Sequence, residues 1–484
     1  MMNHLPLNSY KFKKGKFISP LNELMTPIES HKSWTYGRLP EYIWIALILQ
    51  KYGREDGFIK LFSIIEIIAK NTNLEHIRLS DFLKSDVSYK NVIFKALRDT
   101  VGEETISPLT AVITCTVDKE FSQTFISKTK LEQRIATLEA CLGKFYDHQS
   151  EDATDVRYIV LSYAIHLGRL HFQPQELELI KQYKNLSHCD VRMRKIRPSI
   201  RSTEQILLFQ ETPSLDYLNL FWSKFSELTE CRLFMFKEKQ EDRNTQDYYN
   251  CVKRIIQYIK DVYIDNAPLE QKNKILFGIM TYSFKRLEEA EIHNLYNSIS
   301  GRSIVRSLIE NYIMMKYLIH HEKEKSNIWS EYEQYGIGQY KLVLSRHRAE
   351  QNTRESHVNT DMLEFICNEF KIEESTDMDT KYFNKDNIRI KAKEVYESEL
   401  YGLYYDYDSA YEHGLWGAIR ESSLVKCDNP AHQYHCVPDL ENKIILKSVF
   451  DDCVHVMNKT LLFINEHYSI SDNLLMELKG WEND

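Results

Sequence analysis

The stretch Leu39–Asn71, LPEYIWIALILQKYGREDGFIKLFSIIEIIAKN, decides the fold class. Its second residue is a proline, which fits the first turn of a helix, and the apolar run behind it ends at Gly53, a common stop for helices. From Phe58 onward, apolar residues recur at spacings of three and four, which is the period of one helix face. The sequence therefore predicts two consecutive helices, one that ends at Gly53 and one over 57–71.

The composition favours helices in the rest of the chain as well. Among 484 residues there are only 15 glycines and 11 prolines, and this scarcity indicates long helices joined by few sharp turns. Helices are predicted over about 129–146 and 154–170, whereas AVITCT at about 111–116 is the best candidate for a short strand. The predicted fold class is mainly α.

The length predicts more than one domain, because one compact core rarely organises so many residues. Between residues 188 and 214 the helical period fades and prolines bracket polar residues, so we expect a boundary there. The predicted domains are a helical N-terminal domain of unknown role over 1–200 and a C-terminal helical bundle over 215–484, with a loop near 369–388.

Charge and cysteine usage restrict the class of protein. With 62 basic and 70 acidic residues the net charge is −8, which argues against an overall nucleic-acid coat, so any anion site must be local. The nine cysteines are scattered and contain no CxxC pair, which predicts a compartment with reduced thiols, the cytoplasm. No secretory signal or apolar run of membrane-spanning length is found, so no membrane partner is expected.

Two predicted helices carry polar residues at intervals of four. In GRSIVRSLIENYIMMKYL, which begins at Gly301, the polar residues are Arg302, Arg306 and Glu310, about one turn apart. They form either an ordinary Arg–Glu pair that braces the helix or an anion-binding face. In YDYDSAYEHGLWGAIR, which begins at Tyr405, the same interval gathers a phenol, a hydroxyl and an imidazole, from Tyr405, Ser409 and His413.

The stretch KCDNPAHQYHCVPD, which begins at Lys426, is too rich in proline and polar residues for a regular helix, and it places His432 and His435 close to Asn429. A zinc site would use Cys427 and these two histidines, with His413 or Cys436 as a further ligand, but the usual CxxC half is absent. No metal or other cofactor is therefore predicted, and the two imidazoles are expected to pack near His413.

Three motifs, which follow one another along the chain, resemble those of a bacterial helical family of unknown function over roughly 250–465. They are Arg306 with Glu310, Tyr405 with Ser409 and His413, and NPAHQYH followed by Pro438. The resemblance implies a helical bundle related to the HEPN superfamily, whose members include RNases of toxin–antitoxin and antiphage defence systems. Those RNases have an Arg followed after four to six residues by a His on one helix. The comparable run here, RLEEAEIH from Arg286, has Leu287 where a polar residue usually stands. An RNA-cutting site would thus combine Arg and His from separate helices.

We formulate two hypotheses of different classes. The first is a defence or toxin-type protein with an RNase or phosphodiester-directed site, in which an imidazole moves a proton and a guanidinium stabilises charge on phosphorus. The residues predicted to carry it are Arg302, Arg306, Glu310, Tyr405, Ser409, His413, Asn429, His432 and His435. The second is a non-catalytic sensor, scaffold or regulatory partner, in which the same residues form a buried structural network. A metal-dependent hydrolase is a weaker third alternative.

The expected partners follow from these hypotheses. The first calls for RNA or another nucleic acid, and the second for a protein encoded nearby. An oligomeric state is left open by the sequence.

Overall fold

The computed structural model describes residues 9–18, 33–170, 178, 180–208, 214–235, 243–264, 270–349, 357–369, 372–379, 381–432 and 435–481. Helices dominate these residues, which confirms the mainly α prediction. The described strands are short: β1 (Lys11–Lys13), β2 (Lys16–Ile18), β3 (Leu233–Phe234), β4 (Leu424–Cys427) and β5 (Cys436–Pro438).

The chain divides into two compact units. The first unit comprises Met1–Phe234 together with Lys426–His435, and the second comprises Met235–Val425 together with Cys436–Asp484. The chain thus passes from the first unit to the second after Phe234, returns to the first for Lys426–His435, and enters the second again at Cys436. The predicted domains, 1–200 and 215–484, place a single boundary and contain no such return of the chain.

The helices of the first unit are α1 (Leu39–Asn71), α2 (Leu79–Lys84), α3 (Val87–Val101), α4 (Glu103–Ile106), α5 (Lys119–Thr124), α6 (Leu131–Phe145), α7 (Glu151–His166), α8 (Met193–Leu208) and α9 (Leu215–Glu227). Those of the second unit are α10 (Thr245–Ile259), α11 (Gln271–Ile292), α12 (Ile299–His321), α13 (Ile328–Ala349), α14 (Thr360–Cys367), α15 (Ile388–Glu394), α16 (Ser398–Leu400), α17 (Asp406–Glu412), α18 (Trp416–Ser423), α19 (Phe450–His467) and α20 (Asp472–Gly480).

Helix α1 forms the centre of the first unit and consists of two helical segments joined at a kink. Gly53 has φ 73°, in the left-handed region that favours glycine, so the two predicted helices are confirmed with their break at this residue. The apolar run before the kink is almost completely buried, and α1 packs against α3, α6 and α7. Helices α6 and α7 confirm the predictions near 129–146 and 154–170.

One prediction about the first unit is wrong. Residues 111–116 form no strand, because Pro108 lies in the first turn of a 3₁₀ helix over Ser107–Ala111 and the chain then continues in tight turns. Part of the stretch 188–214, where we expect a domain boundary, forms α8, which includes Pro198. Its buried face contains the charged residue Glu204, which pairs with Arg38 and with Arg157 (Nε–Oε2 3.3 Å), and this charge obscures the apolar period in the sequence.

Helix α12 is the central helix of the second unit and packs against α11, α17 and α19. Its N-terminus is capped by Ser298, whose Oγ accepts a hydrogen bond from the amide of Gly301 at 3.1 Å. A Cβ at Gly301 would lie 2.4 Å from the carbonyl oxygen of Leu295, so only glycine fits this close approach. Apolar residues at helical spacings, among them Ile304, Leu308 and Ile309, are buried on this helix, as expected for a core face.

The segment near 369–388 is a loop with two short 3₁₀ turns among its described residues, which confirms that prediction. Among the helices that the structure describes, none combines the length and apolar character needed to cross a bilayer.

Candidate functional site

A polar seam joins α12 to α17 in the second unit. The two helices run in opposite directions, as their contacts show. Ser303, Arg306 and Glu310 donate to or accept from residues whose numbers decrease, in the order Glu412, Ser409 and Tyr405. A π-helical turn over Tyr401–Tyr405 precedes α17 and brings the Tyr405 phenol to α12. We call Arg306, Glu310, Tyr405 and Ser409 the α12–α17 seam.

The α12–α17 seam is a connected network of side chains. The Nη2 of Arg306 donates to the Tyr405 hydroxyl at 2.8 Å and to Oε1 of Glu310 at 3.1 Å, and its Nε donates to Oγ of Ser409 at 3.2 Å. The Tyr405 hydroxyl in turn donates to Oε1 of Glu310 at 2.6 Å. The Arg306 and Glu310 side chains keep 19% and 36% of their surface exposed, so the ion pair is within reach of solvent.

The environment of Tyr405 keeps its phenol protonated. Burial, and then the hydrogen bond and charge of Glu310, raise the pKa of Tyr405 above its ordinary value, against the opposing effect of Arg306. Tyr401 stacks on the Tyr405 ring with the centroids 4.8 Å apart, which fixes the ring between the helices. Tyr405 is therefore a hydrogen-bond donor at neutral pH rather than a base.

Arg302 belongs to a different, buried environment on the same helix. Its side chain donates to the carbonyl oxygens of Tyr296 and Ser298, each at 3.3 Å, and to that of Lys447 at 2.6 Å. Nearby, burial and then the charge of Asp452 raise the pKa of Asp408 to about 7, although Arg302 acts to lower it. The predicted anion-binding face is thus divided, because Arg302 is fixed inside the fold while Arg306 faces the seam.

His413 lies at the edge of this region. Helix α17 ends at Glu412, and His413 follows as its C-terminal cap, before Gly414 turns the chain at φ 56°. The imidazole is exposed, and no hydrogen bond to it is found among the residues that the structure describes. His413 is one turn beyond Ser409, whose carbonyl oxygen accepts from the His413 amide at 3.1 Å, so it follows the seam directly along the chain.

Asn429, His432 and His435 belong to the first unit, and the residues that they contact belong to it as well. The buried Asn429 shapes the turn, since its Nδ2 donates to the carbonyl of Glu230 at 2.8 Å and its Oδ1 accepts from the amide of Ala431 at 3.0 Å. Their predicted convergence with His413 and Arg306 stays a prediction.

The two histidines face two cysteines of the same unit. Nδ1 of His432 lies 3.6 Å from Sγ of Cys427, and Nδ1 of His435 lies 3.4 Å from Sγ of Cys231. The candidate ligand atoms of all four side chains lie within 4.8 Å of one another. We call Cys231, Cys427, His432 and His435 the Cys/His cluster.

Cys231 is the member of this cluster that the sequence analysis missed. It occupies the place for which the sequence suggested His413 or Cys436, and it is 204 residues away from His435 along the chain. The pairing of β3 with β4 brings these distant parts together, with Leu233 opposite Cys427 and Phe234 opposite Lys426. A cysteine just before a short strand carries no local signal for such a contact.

The second unit also has a cavity of about 510 Å³ beside the loop near 369–388. Its wall includes the charged residues Lys325, Glu331 and Lys385, together with the aromatic side chains of Tyr335 and Phe383. Lys325 and Glu331 pair with each other in this wall, so their charges are largely balanced. The cavity contains none of the residues predicted as catalytic.

Comparison with known proteins relates part of the chain to a family. No curated protein and no solved structure matches the chain. Residues 273–432 match a family of unknown function, DUF5677, and this segment includes the α12–α17 seam, His413, Asn429 and His432 but not His435 or Pro438. Over less than half of its length, the chain is therefore similar to a family of unknown function, which confirms that part of the predicted resemblance.

Proposed function

We propose that the second unit carries a phosphodiester-directed site, built on the α12–α17 seam, that cleaves RNA. The observation that supports it is a solvent-reachable guanidinium, on Arg306, with the Glu310 carboxylate at 3.1 Å and the Tyr405 phenol at 2.8 Å. A positive group that binds phosphate, a carboxylate that accepts a proton and a neutral donor are the groups that metal-independent RNA cleavage requires.

Each group has a stated role in this chemistry. Arg306 binds a non-bridging phosphate oxygen, which replaces Ser409 as a partner, and the Tyr405 phenol donates to the same phosphate. The Glu310 carboxylate takes the proton of the 2′-hydroxyl, the 2′-oxygen attacks phosphorus, and the bond from phosphorus to the 5′-oxygen breaks. His413, in its protonated form, gives a proton to that leaving oxygen.

A HEPN-like relationship and a role in a defence or toxin-type system are part of the same proposal. The proposed site leaves out the Arg–His run at 286–293, in which Leu287 stands where those RNases usually have a polar residue. Arg306 and His413 come instead from α12 and the end of α17, in line with the expectation that Arg and His are supplied by separate helices.

Cleavage of a labelled single-stranded RNA by the purified full chain, without added divalent ions, tests this function. We expect products with 2′,3′-cyclic phosphate ends and no cleavage of the matching DNA, which lacks the attacking hydroxyl. Replacing Glu310 by Gln or His413 by Ala should lower the rate at least about 100-fold, the usual contribution of a general acid or base.

His293→Ala is a matched control. His293 is also an exposed helix cap, with φ −102° against −92° at His413, so both variants make the same kind of change on the surface. The control should cleave RNA at the rate of the unchanged chain. Equal activity in all variants would point to a contaminating nuclease and would contradict the assignment of the site.

A non-catalytic role is the second candidate function, and one observation favours it. Arg306 already donates to Glu310, Tyr405 and Ser409, so the seam also satisfies the description of a structural network between two helices. In that case the unchanged chain leaves RNA intact, while Glu310→Gln still lowers the melting temperature because it weakens the seam.

A further inference from the structure

The Cys/His cluster of the first unit brings together four side chains that can each ligate a metal ion. We propose that Cys231, Cys427, His432 and His435 bind one zinc ion through two sulfur and two imidazole nitrogen atoms. This site shares no residue with the α12–α17 seam and does not depend on the proposed RNA cleavage. Two cysteines with two histidines are a common ligand set for zinc, which prefers sulfur and nitrogen in tetrahedral geometry.

The distances between the candidate ligand atoms agree with tetrahedral zinc. With Zn–S near 2.3 Å and Zn–N near 2.0–2.1 Å, a sulfur and a nitrogen bound to the same ion lie about 3.6 Å apart. The two S–N distances in the cluster are 3.6 Å for Cys427 with His432 and 3.4 Å for Cys231 with His435. The widest separation among the four ligand atoms, within 4.8 Å, requires only small side-chain rotations to close around an ion.

The hydrogen bonds of His432 orient its free nitrogen toward the proposed ion. Nε2 lies 3.1 Å from the carbonyl oxygen of Thr229 and 3.2 Å from its Oγ1. The Thr229 hydroxyl donates its own hydrogen to the carbonyl of Phe225 at 3.1 Å, so both Thr229 oxygens accept from Nε2–H. Nδ1 of His432 then keeps its lone pair on the side of Cys427, which is the usual arrangement of a metal-binding histidine.

The backbone around Cys427 suits a thiolate. The amide of Arg232 donates to Sγ of Cys427 at 3.3 Å, and the amide of Asp428 donates to the carbonyl of Arg232 at 2.9 Å. Cys427 is itself buried, whereas Cys231 and His435 are exposed. A buried sulfur with an amide donor, next to an accessible face through which an ion can enter, is what a metal site requires.

The position of the cluster in the chain indicates a structural role. The chain leaves the first unit after Phe234 and returns to it at Lys426, and the four residues flank these two points. An ion held by four protein ligands has no open position for substrate, so it joins the two parts of the first unit, Met1–Phe234 and Lys426–His435, rather than performing chemistry.

Elemental analysis and cobalt binding test this site on the full chain purified with a reducing agent. We expect one zinc ion per chain, and a visible cobalt spectrum with the intensity and thiolate charge-transfer bands of tetrahedral coordination by two sulfurs. Cys231→Ser and His435→Gln should each weaken cobalt binding at least about tenfold. The cobalt spectrum of the unchanged chain does not depend on whether any variant folds.

Cys189→Ser is the matched control, because Cys189 is an exposed cysteine of the first unit outside the cluster. It should bind cobalt as the unchanged chain does, and so should Cys436→Ser. Loss of binding in Cys436→Ser, or unchanged binding in Cys231→Ser, would overturn the ligand set. The zinc site would also be refuted by a reduced chain that takes up neither metal, or by a disulfide between Cys231 and Cys427 that persists under reducing conditions.

Discussion

Arg302 and Arg306 lie one turn apart on α12, yet the protein holds the two guanidinium groups in opposite ways. Arg302 is 2% exposed and donates to three backbone carbonyls, whereas Arg306 donates to side chains and remains partly exposed. Backbone carbonyls are fixed by the fold, but side-chain partners can rotate away. The same spacing in the sequence thus gives one structural arginine and one that a ligand can reach.

The largest expected effect comes from replacing Arg302, the buried one of the two arginines. Arg302→Ala leaves the carbonyl oxygens of Tyr296, Ser298 and Lys447 without their donor and removes the positive charge beside Asp408. We expect a loss of about 3–5 kcal/mol in the free energy of unfolding of the second unit, measured by hydrogen exchange of α12.

Arg306→Ala is the matched control on the same helix. It breaks a partly exposed network, so we expect a loss of only about 1 kcal/mol. Equal losses in the two variants would show that burial does not distinguish the two arginines, and the comparison would fail.

The buried carboxyl of Asp408, which interacts with the charge of Arg302, gives a second test of the comparison between the two arginines. The quantity that it changes is the pH dependence of stability. Burial raises the pKa of Asp408 from 3.8 to about 7, so the folded second unit favours the protonated acid. Its contribution to stability is fully present below about pH 4 and is lost as pH rises through about 7. Asp408→Asn mimics the neutral form, and at pH 8 it should stabilise α17 by about 2–4 kcal/mol relative to the unchanged chain.

Hydrogen exchange of α17 between pH 5 and pH 8, corrected for intrinsic rates, measures this difference. The advantage of Asp408→Asn should grow with pH up to about 7 and then stay constant. Asp406→Asn, at an exposed position of the same helix, should show no such growth. A constant difference between Asp408→Asn and the unchanged chain at every pH would mean that Asp408 does not titrate in this range.

The helices could be predicted from the sequence because their signals are local. Gly53 marks the kink in α1, and the apolar spacing of α12 identifies its buried stripe. Helix α8 was missed because a proline and the buried Glu204 interrupt the apolar pattern, and the compensating charges of Arg38 and Arg157 are remote in sequence. A local pattern cannot reveal a buried ion pair whose partners lie more than 40 residues away.

The candidate sites, like the helices, could be predicted only where their signals are local in the sequence. Each half of the α12–α17 seam lies on one helix, so the intervals of four among Arg306, Glu310, Tyr405 and Ser409 pointed to it. The Cys/His cluster needs Cys231, which only the tertiary structure places beside His435. The sequence therefore suggested three of its four members and gave no reason to choose the fourth.

The smallest expected effect concerns the weakest partner of Arg306. Ser409→Ala removes the Oγ that accepts from Nε of Arg306 at 3.2 Å, while the contacts of Arg306 with Glu310 and Tyr405 remain. We expect a loss below about 1 kcal/mol in the stability of α17, measured by hydrogen exchange. If phosphate replaces Ser409 as a partner of Arg306, the RNA cleavage rate should stay within about threefold, since that hydrogen bond is lost on binding anyway. A loss of tenfold or more would instead mean that Ser409 positions Arg306 during cleavage. The Arg306 guanidinium would then be held as firmly by its side-chain partners as the Arg302 guanidinium is by backbone carbonyls.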